Sequence, residues 1–435
     1  MNISVVKGWW ATLLASRFVR STLGLSGATA VAQLVALAAY PILTRLYSPD
    51  AFGILAVFTS VALLAVPLLT LRLDYAVPLP DEERHGAQLA SLSALFAVAL
   101  FAGMGLAFLV AGRQLPDQFE LERLHGVELW VGLAGLLLSF TAILTAWNIR
   151  RQSFRFISAG RIVLVAVTVV VQSLWAFLGG GPEGLLIGFC LGVAAEALVL
   201  LIASRPSLLP AVKAVRIAET AAVLRTHRAF VLLTCPSNFI NSLGLLAPPI
   251  VIVSLFGAAE GGAFFLAQRI VSQPARLLGQ AVCNVFWGHA AELYRRDPVG
   301  LMKLFSRSNT ALLGIMSPGL LLPVVGAPLF VFLFGAEWSD AGLYAGIMFI
   351  GEFLFLAANG TGCLTVYGLN HWQSAYDVTR VALVSAVLVA TWLMSLDILT
   401  CVVLLTATRL VAGATLLFLN YLALRRAVAR HANAA

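Results

Sequence analysis

The sequence predicts an all-α polytopic membrane protein, with twelve transmembrane helices in two six-helix lobes related by a pseudo-two-fold axis along the membrane normal. Three observations carry this expectation. First, 60% of the 435 residues are hydrophobic, only 11% are charged, and the mean hydropathy is +0.94. Soluble proteins carry about 25% charged residues, so most of this chain is built for lipid. Second, the apolar residues come in runs of about twenty, the length of a membrane-crossing helix, which excludes a β-barrel with its alternating strands. Third, a weak internal repeat relates the two halves.

The spans fall at 21–45, 51–77, 87–112, 127–149, 157–178, 184–204, 229–256, 262–288, 306–334, 340–366, 377–395 and 399–424. Short links such as Leu46–Asp50, Gly257–Gly261 and Gly335–Ser339 lie on one side, and the longer loops lie on the other. Of the 28 Lys and Arg, only Arg45, Arg113 and Arg123 fall in the short-link side's loops, including the longest of them, Gln114–Gly126. Basic residues mark the cytoplasmic side, so both termini are expected inside. The acidic run Asp81–Glu83 in an inner loop goes against this locally without reversing it. The basic segment before Ser21, with Lys7, Arg17 and Arg20, imitates a signal peptide, but its apolar run is too long and lacks a cleavage site. The expected domains are residues 1–204 (first lobe), 205–228 (a basic surface helix lying on the membrane), 229–424 (second lobe) and 425–435 (cytoplasmic tail). The net charge of +8 and pI of 9.6 therefore reflect topology and anionic headgroups, with no nucleic acid implied.

In the repeat, Pro41, Gly53 and Pro67 are echoed by Pro249, Gly261 and Pro274. Thr145, Trp147 and Arg161 are echoed by Thr365, Tyr367 and Arg380. An even number of spans per half makes both halves enter from the same side, which is the parallel-repeat arrangement with a site between the halves.

No catalytic chemistry is evident. There is no phosphate loop, no HExxH and no nucleophile elbow, and the six histidines are scattered over loops and span ends. The five cysteines lie in apolar runs without metal-ligand spacing, as small core residues do. Neither a metal nor a cofactor is expected, and the longest outer loop is too short for a catalytic domain.

The polar residues inside the spans are more informative. In span 8, Arg269, Gln273, Arg276, Gln280 and Asn284 recur at spacings of three and four, on one helical face, with Pro274 among them. An arginine at mid-membrane costs roughly 2.5–3.5 kcal/mol on insertion scales, so it needs a partner or a wet cavity. Arg276 lies near the middle; Arg269 is nearer the outer end, where it either lines the cavity or snorkels or pairs with an acid. Span 1 carries a second stripe of Ser26, Thr29, Gln33, Tyr40 and Thr44 ending at Arg45, and span 7 carries Ser237, Asn238, Asn241 and Ser242, between Pro236 and the pair Pro248–Pro249 that suggests a broken helix. Arg72 and Asp74, two residues apart, are expected on different faces of span 2, as interfacial anchors or as ligands. In span 6, Gly184, Gly188, Gly192 and Glu196 step by four, which allows close helix approach and turns Glu196 into the packed face. Asp74, Glu196 and Glu352 are candidates either for ion coupling or for pairing with arginines such as Arg409. The stripe in span 8 points to a path for something anionic.

Three blocks carry a family resemblance: PILTRLYSPDAFGILAVF (Pro41–Phe58), RLDYAVPLPDEE (Arg72–Glu83), and CPSNFINSLG (Cys235–Gly244) followed by AQRIVSQPARLLGQAV (Ala267–Val282). These resemble Wzx-type oligosaccharide flippases, within the superfamily that also holds MATE-type multidrug exporters and MurJ-type lipid II flippases. The resemblance implies a MATE-like fold in the bacterial inner membrane. It implies alternating-access transfer of an undecaprenyl-diphosphate-linked oligosaccharide from the cytoplasmic to the periplasmic leaflet, for surface polysaccharide biosynthesis. It further implies association with a repeat-unit polymerase and a chain-length regulator. The family's motif arginines fall on Arg45, Arg72, Arg269 and Arg276. A doubly anionic diphosphate suits guanidinium groups in a low-dielectric cavity. The competing expectations are a cation exporter of the MATE type, which favours acids over arginines in its cavity, and a lipid II flippase, whose relatives have fourteen spans.

Overall fold

The computed structural model describes residues 17–111 and 128–434. Lys7, Arg113, Arg123 and the whole Gln114–Gly126 loop lie outside the described residues, as do the side chains of Ser26, Thr29 and Asn284. The described chain is helical: α1 (Arg17–Leu46), α2 (Pro49–Thr70), α3 (Glu83–Ala111), α4 (Glu128–Arg150), α5 (Phe154–Phe177), α6 (Glu183–Lys213), α7 (Thr220–Thr226), α8 (Cys235–Phe256), α9 (Ala258–Arg296), α10 (Pro298–Met316), α11 (Leu322–Phe334), α12 (Ser339–Gly360), α13 (Asn370–Leu393) and α14 (Ile398–Ala434).

Ten helical segments among the described residues are long and apolar enough to cross a membrane, with α10 and α11 joined as one. The helix α9 falls outside that set although it has 39 residues, because its polar stripe dilutes its hydropathy. For α1, only the shorter stretch Ala30–Leu46 is counted.

Several boundaries differ from expectation. The second span ends at Thr70 rather than 77, because Leu71 and Arg72 both take positive φ (49° and 54°) and turn the chain into a short 3-10 helix, Leu73–Ala76. The helix of the tenth span stops at Gly360, not 366. The basic connection is not one surface helix: α6 continues through Pro206 and Pro210 to Lys213, and only the seven-residue α7 follows. In span 7 the irregularity is a π-helical turn at Phe230–Thr234, and α8 then runs unbroken through Pro236, Pro248 and Pro249. Likewise α9 is continuous through Pro274. Span 9 is interrupted by a 3-10 turn, Ser317–Leu321, where Pro318 and Pro323 remove backbone donors.

The chain forms two compact units. One comprises residues 1–46 and 58–240, and the other residues 47–57 and 241–435, so that the first turns of α2 belong with the second half of the sequence. In the first unit α6 packs along α5 and α4, and α1 packs on α5. The four-residue step in α6 explains the closeness: a Cβ on Gly188 would lie 3.0 Å from the Thr168 carbonyl oxygen of α5, and one on Gly192 would lie 2.7 Å from that of Leu164. Small residues of this kind let membrane helices gain dispersion contacts that lipid cannot offer.

In the second unit α12 is the central helix, packed on α9, α10, α11 and α14. Gly257 (φ 91°) and Gly335 (φ 113°) provide the left-handed turns that start α9 and the segment before α12, conformations costly for residues with a Cβ. The N-terminal turns of α2 cross α9 reciprocally. A Cβ on Gly53 would lie 2.0 Å from the Ala258 carbonyl oxygen, and one on Gly262 would lie 1.8 Å from that of Pro49. Phe52 packs edge-on to buried Trp338 beside this crossing, with ring centroids 5.0 Å apart. Gly262→Ala is therefore expected to destabilise by about 1–3 kcal/mol, the usual cost of overpacking. Gly288→Ala, on the same helix with open space around it, is expected to be neutral or stabilising. Thermal unfolding of both variants in detergent checks the contrast; equal melting temperatures would refute the close crossing.

Candidate functional site

The intramembrane charges separate into two groups. Three candidate acids each face an arginine. Glu196 is buried and lies 3.2 Å from Arg161 of α5. Glu352 is buried on α12, 2.5 Å from Arg409 of α14, and accepts a 3.3 Å hydrogen bond from Ser272 of α9. Asp74 lies 3.7 Å from Arg72, whose guanidinium also stacks over Tyr75 at 4.6 Å. The expectation that Arg72 and Asp74 occupy different faces is thus corrected. It assumed helical geometry, whereas the positive φ of Leu71 and Arg72 folds the two side chains together. Two consecutive left-handed residues cost about 1–3 kcal/mol each. The Thr70 hydroxyl accepts the Arg72 backbone N–H at 3.2 Å, and Ser93 donates to the Thr70 carbonyl at 3.1 Å, which holds the turn in place.

By contrast, Arg269, Arg276 and Arg380 make no ion pair among the described residues. Arg269 stacks over Phe265 of its own helix, 4.8 Å from the ring centroid. Arg276 is exposed and donates a 2.6 Å hydrogen bond to the Gln273 side-chain oxygen, one turn earlier. The charges that act on it are Arg269, Arg409 and Glu352. Arg380 of α13 donates to the side-chain oxygen of Asn241 on α8 at 2.5 Å. The result is a set of cations on α9 and α13 whose partners are amides for Arg276 and Arg380 and an aromatic ring for Arg269.

A cavity in this unit is lined by Gln268, Arg380, Arg409, Thr406 and Thr408, with Phe264 and Phe355 among its apolar walls. The Thr406 hydroxyl and the Nε of Arg409 are buried there without a hydrogen-bond partner, since the Arg409–Glu352 approach is close but not aligned for one. Unpartnered polar atoms in a membrane interior are costly, and an anionic or hydroxylated guest would satisfy them.

The structure therefore gathers Arg269, Gln273, Arg276, Glu352, Arg380 and Asn241 in the second unit. Gln280, also on α9, is exposed. The remaining candidates lie in the first unit. Gln33 is half-buried on α1 and Arg45 is exposed at its end, while Asn238 donates to the Thr234 carbonyl at 3.0 Å, repairing the π-turn before α8. Gln268, Thr406 and Thr408 were not singled out from sequence. Their signal is weak, because a lone hydroxyl or amide in an apolar run usually stabilises packing. Arg380 did leave a trace, as the repeat mate of Arg161. The two mates differ in the decisive respect: Arg161 faces a buried carboxylate, and Arg380 faces an amide.

On the loop side of the first unit, Arg150 gathers the backbone that follows the Arg72 turn. Its guanidinium donates to the carbonyls of Val77 (3.3 Å), Pro78 (3.4 Å), Pro80 and Asp81 (3.1 Å). Beside it Arg151 pairs with Glu83, and Arg84 pairs with Glu82 and, at 3.7 Å, with Glu219 ahead of α7. The Arg84 guanidinium holds the Glu82 carboxyl below the usual carboxylate range. The local acidic run that opposed the basic-inside pattern is thus matched by neighbouring arginines. Arg150→Ala is expected to free residues 77–82, and Arg150→Lys to restore little, because an ammonium cannot reach four carbonyls as the planar fork does. Limited proteolysis of this loop tests it, and equal cleavage of wild type and alanine variant would count against the role.

Comparison with known proteins gives this arrangement its setting. The model of a family described as polysaccharide biosynthesis protein matches residues 42–342, more than half of the chain. The chain belongs to that family. The succinoglycan biosynthesis transport protein ExoT of Rhizobium meliloti (strain 1021) is 24% identical over 319 residues, which cover 72% of this chain and 61% of the relative. The match thus spans less than two thirds of that relative's length. Among solved structures, the inward-closed lipid II flippase MurJ superposes with a TM-score of 0.61 at 14% identity, covering 92% of this chain and 86% of MurJ. An inward-facing MATE-family multidrug transporter of the MOP superfamily gives 0.56 at 13% identity, covering 93% and 94%. At such identities the likeness establishes the fold. This chain is a multi-pass membrane protein with the fold of these two structures, and the relative is named a transport protein.

Proposed function

We propose that this protein flips an undecaprenyl-diphosphate-linked oligosaccharide repeat unit from the cytoplasmic to the periplasmic leaflet by alternating access, for surface polysaccharide biosynthesis. The observation that carries the reading is the trio Arg269, Arg276 and Arg380, held in membrane helices without an ion pair among the described residues. Guanidinium groups that lack an ion pair in a low-dielectric setting favour a multiply charged anion. A diphosphate meets that demand, and Asn241, Gln268, Thr406 and Thr408 suit a hydroxyl-rich sugar.

The cation-exporter reading loses ground on the same evidence. The acids it requires, Asp74, Glu196 and Glu352, each already face an arginine. The relative's name, a succinoglycan transport protein, favours a polysaccharide precursor over lipid II.

The working topology is twelve spans in two lobes, residues 1–204 and 229–424, joined by 205–228 and followed by the tail 425–435. Both termini are cytoplasmic, in the bacterial inner membrane, with a repeat-unit polymerase and a chain-length regulator as partners. Six spans precede the connection and six follow it when α10–α11 is taken as one. The reciprocal Gly53–Ala258 and Gly262–Pro49 approaches are what a pseudo-two-fold axis between α2 and α9 produces. Gln33, Arg45 and Arg72 of the first lobe and Asn238 of the second remain substrate-wall candidates.

The test is deletion of the gene followed by lipid extraction. A lipid-diphosphate oligosaccharide should accumulate with its sugar on the cytoplasmic face, and a plasmid copy should clear it. Normal surface polysaccharide in the deletion strain would reject the assignment.

A further inference from the structure

The helices α13 and α14 leave a groove of about 290 Å³ between them, walled by Trp372, Tyr376, Leu383, Val411 and Leu419. That is the low end of the range for small-molecule sites, roughly 300–1,000 Å³, so the groove holds a short segment of a ligand. Its walls carry one charge, Arg380. The same guanidinium, together with Ala412, also lines the cavity that contains Gln268, Thr406 and Arg409. An apolar groove and a polar cavity therefore meet at a single cation.

The position of that cation restricts what fills the groove. Arg380 lies ten residues into the 24-residue helix α13, about 15 Å along its axis, where the polar first half of the helix gives way to its apolar second half. A phospholipid whose phosphate stays with the other headgroups would bring only hydrocarbon into the groove, leaving the guanidinium with Asn241. The occupant that satisfies both features has its anionic group drawn into the protein and its apolar chain leaving sideways. The counterpart Arg161, neutralised by Glu196 at 3.2 Å, has no such need. The asymmetry between repeat mates marks Arg380 as the ligand-facing one.

We propose that the groove between α13 and α14 seats the first isoprene units of the substrate's polyprenyl chain, and that Arg380 binds the phosphate to which this chain is esterified. The proposal rests on the flippase reading and adds to it where the lipid leaves the protein: between the last two helices. Arg269 and Arg276 on α9 are then left for the distal phosphate.

The experiment uses the full chain in nanodiscs and measures binding of undecaprenyl diphosphate, inorganic diphosphate and phosphatidic acid. Thr415→Trp and Ala375→Trp fill the groove from exposed positions of its two helices. Each should weaken undecaprenyl diphosphate about tenfold or more and leave inorganic diphosphate unchanged. Arg380→Ala should weaken both, and Arg380→Lys should recover part. Unchanged undecaprenyl diphosphate binding by both tryptophan variants, with melting temperatures like wild type, overturns the groove assignment. So does phosphatidic acid binding as tightly as the polyprenyl ligand, which would make this an ordinary lipid site. If the wild type binds neither diphosphate, the flippase reading itself fails and the groove assignment falls with it. If the wild type binds both and Arg380→Ala is without effect, the groove assignment alone fails.

Discussion

Arg276→Ala is expected to abolish polysaccharide export while the protein remains inserted and folded. The side chain is exposed and bonded only to Gln273 of its own helix, so its removal breaks no contact between helices. What it removes is a charge-assisted contact to an anion, worth about 1.5–3 kcal/mol, or roughly a 10- to 150-fold loss of affinity. Arg276→Lys should retain part of the function, keeping the charge and losing the two-pronged geometry. The same logic gives a readout on purified protein. An anion that relieves the repulsion among Arg269, Arg276 and Arg409 stabilises the folded state, by about 2.7 kcal/mol at a hundred times its dissociation constant. Inorganic diphosphate should therefore raise the melting temperature of the wild type and do so much less for the alanine variant. Full export by Arg276→Ala, at normal expression, would remove this residue from the cavity.

The second large effect is expected at the Glu352–Arg409 pair, and it concerns stability first. Glu352 has 3% of its side chain exposed and Arg409 25%. Removing one partner of a buried pair costs about 3–5 kcal/mol, because the other is left charged without compensation. Arg409→Ala should be the worse of the two, leaving the more deeply buried carboxylate with the Ser272 hydroxyl as its hydrogen-bond donor and Arg276 as its remaining cation. Glu352→Ala should cost less, since Arg409 borders the cavity and stacks on Phe355 at 4.7 Å. The double variant should recover stability relative to Arg409→Ala, the signature of a coupled pair in a double-mutant cycle. Export then tells a structural role from a coupling role. A stable double variant that still exports makes the pair structural. A stable double variant that does not export, beside a wild type whose rate depends on the proton gradient, makes Glu352 a coupling group.

The resemblance blocks and the structure agree on where the polar residues cluster, but they differ on which arginine does what. Arg72 sits in a block shared with flippases and stood open between an interfacial anchor and a ligand. In the fold it is half of a compact turn, paired with Asp74 and followed by a loop that Arg150 holds through four carbonyls. Arg269 was left between touching substrate and pairing with an acid. It does the latter with no described residue, and rests on Phe265 instead. Glu196 and Glu352 had an even choice between protonation site and ion pair, and both stand beside arginines from neighbouring helices.

The sequence by itself determined the properties that follow from the bilayer as a solvent. Runs of about twenty apolar residues specify helices that cross, because only a helix satisfies its own backbone in hydrocarbon. The four-residue glycine step in α6 and the three-four spacing on α9 specify which face packs and which stays polar, because helical periodicity is local. Charge neutralisation is not local. Whether Arg161, Arg380 or Arg409 carries a free positive charge depends on which residue of another helix arrives within about 4 Å, and hydropathy does not encode that. It was decided by close helix approaches, with small residues such as Gly160, Gly188 and Gly351 drawing α5 to α6 and α12 to α14. The tertiary structure thereby paired Arg161 and Arg409 with buried acids and left Arg269, Arg276 and Arg380 without an ion pair among the described residues.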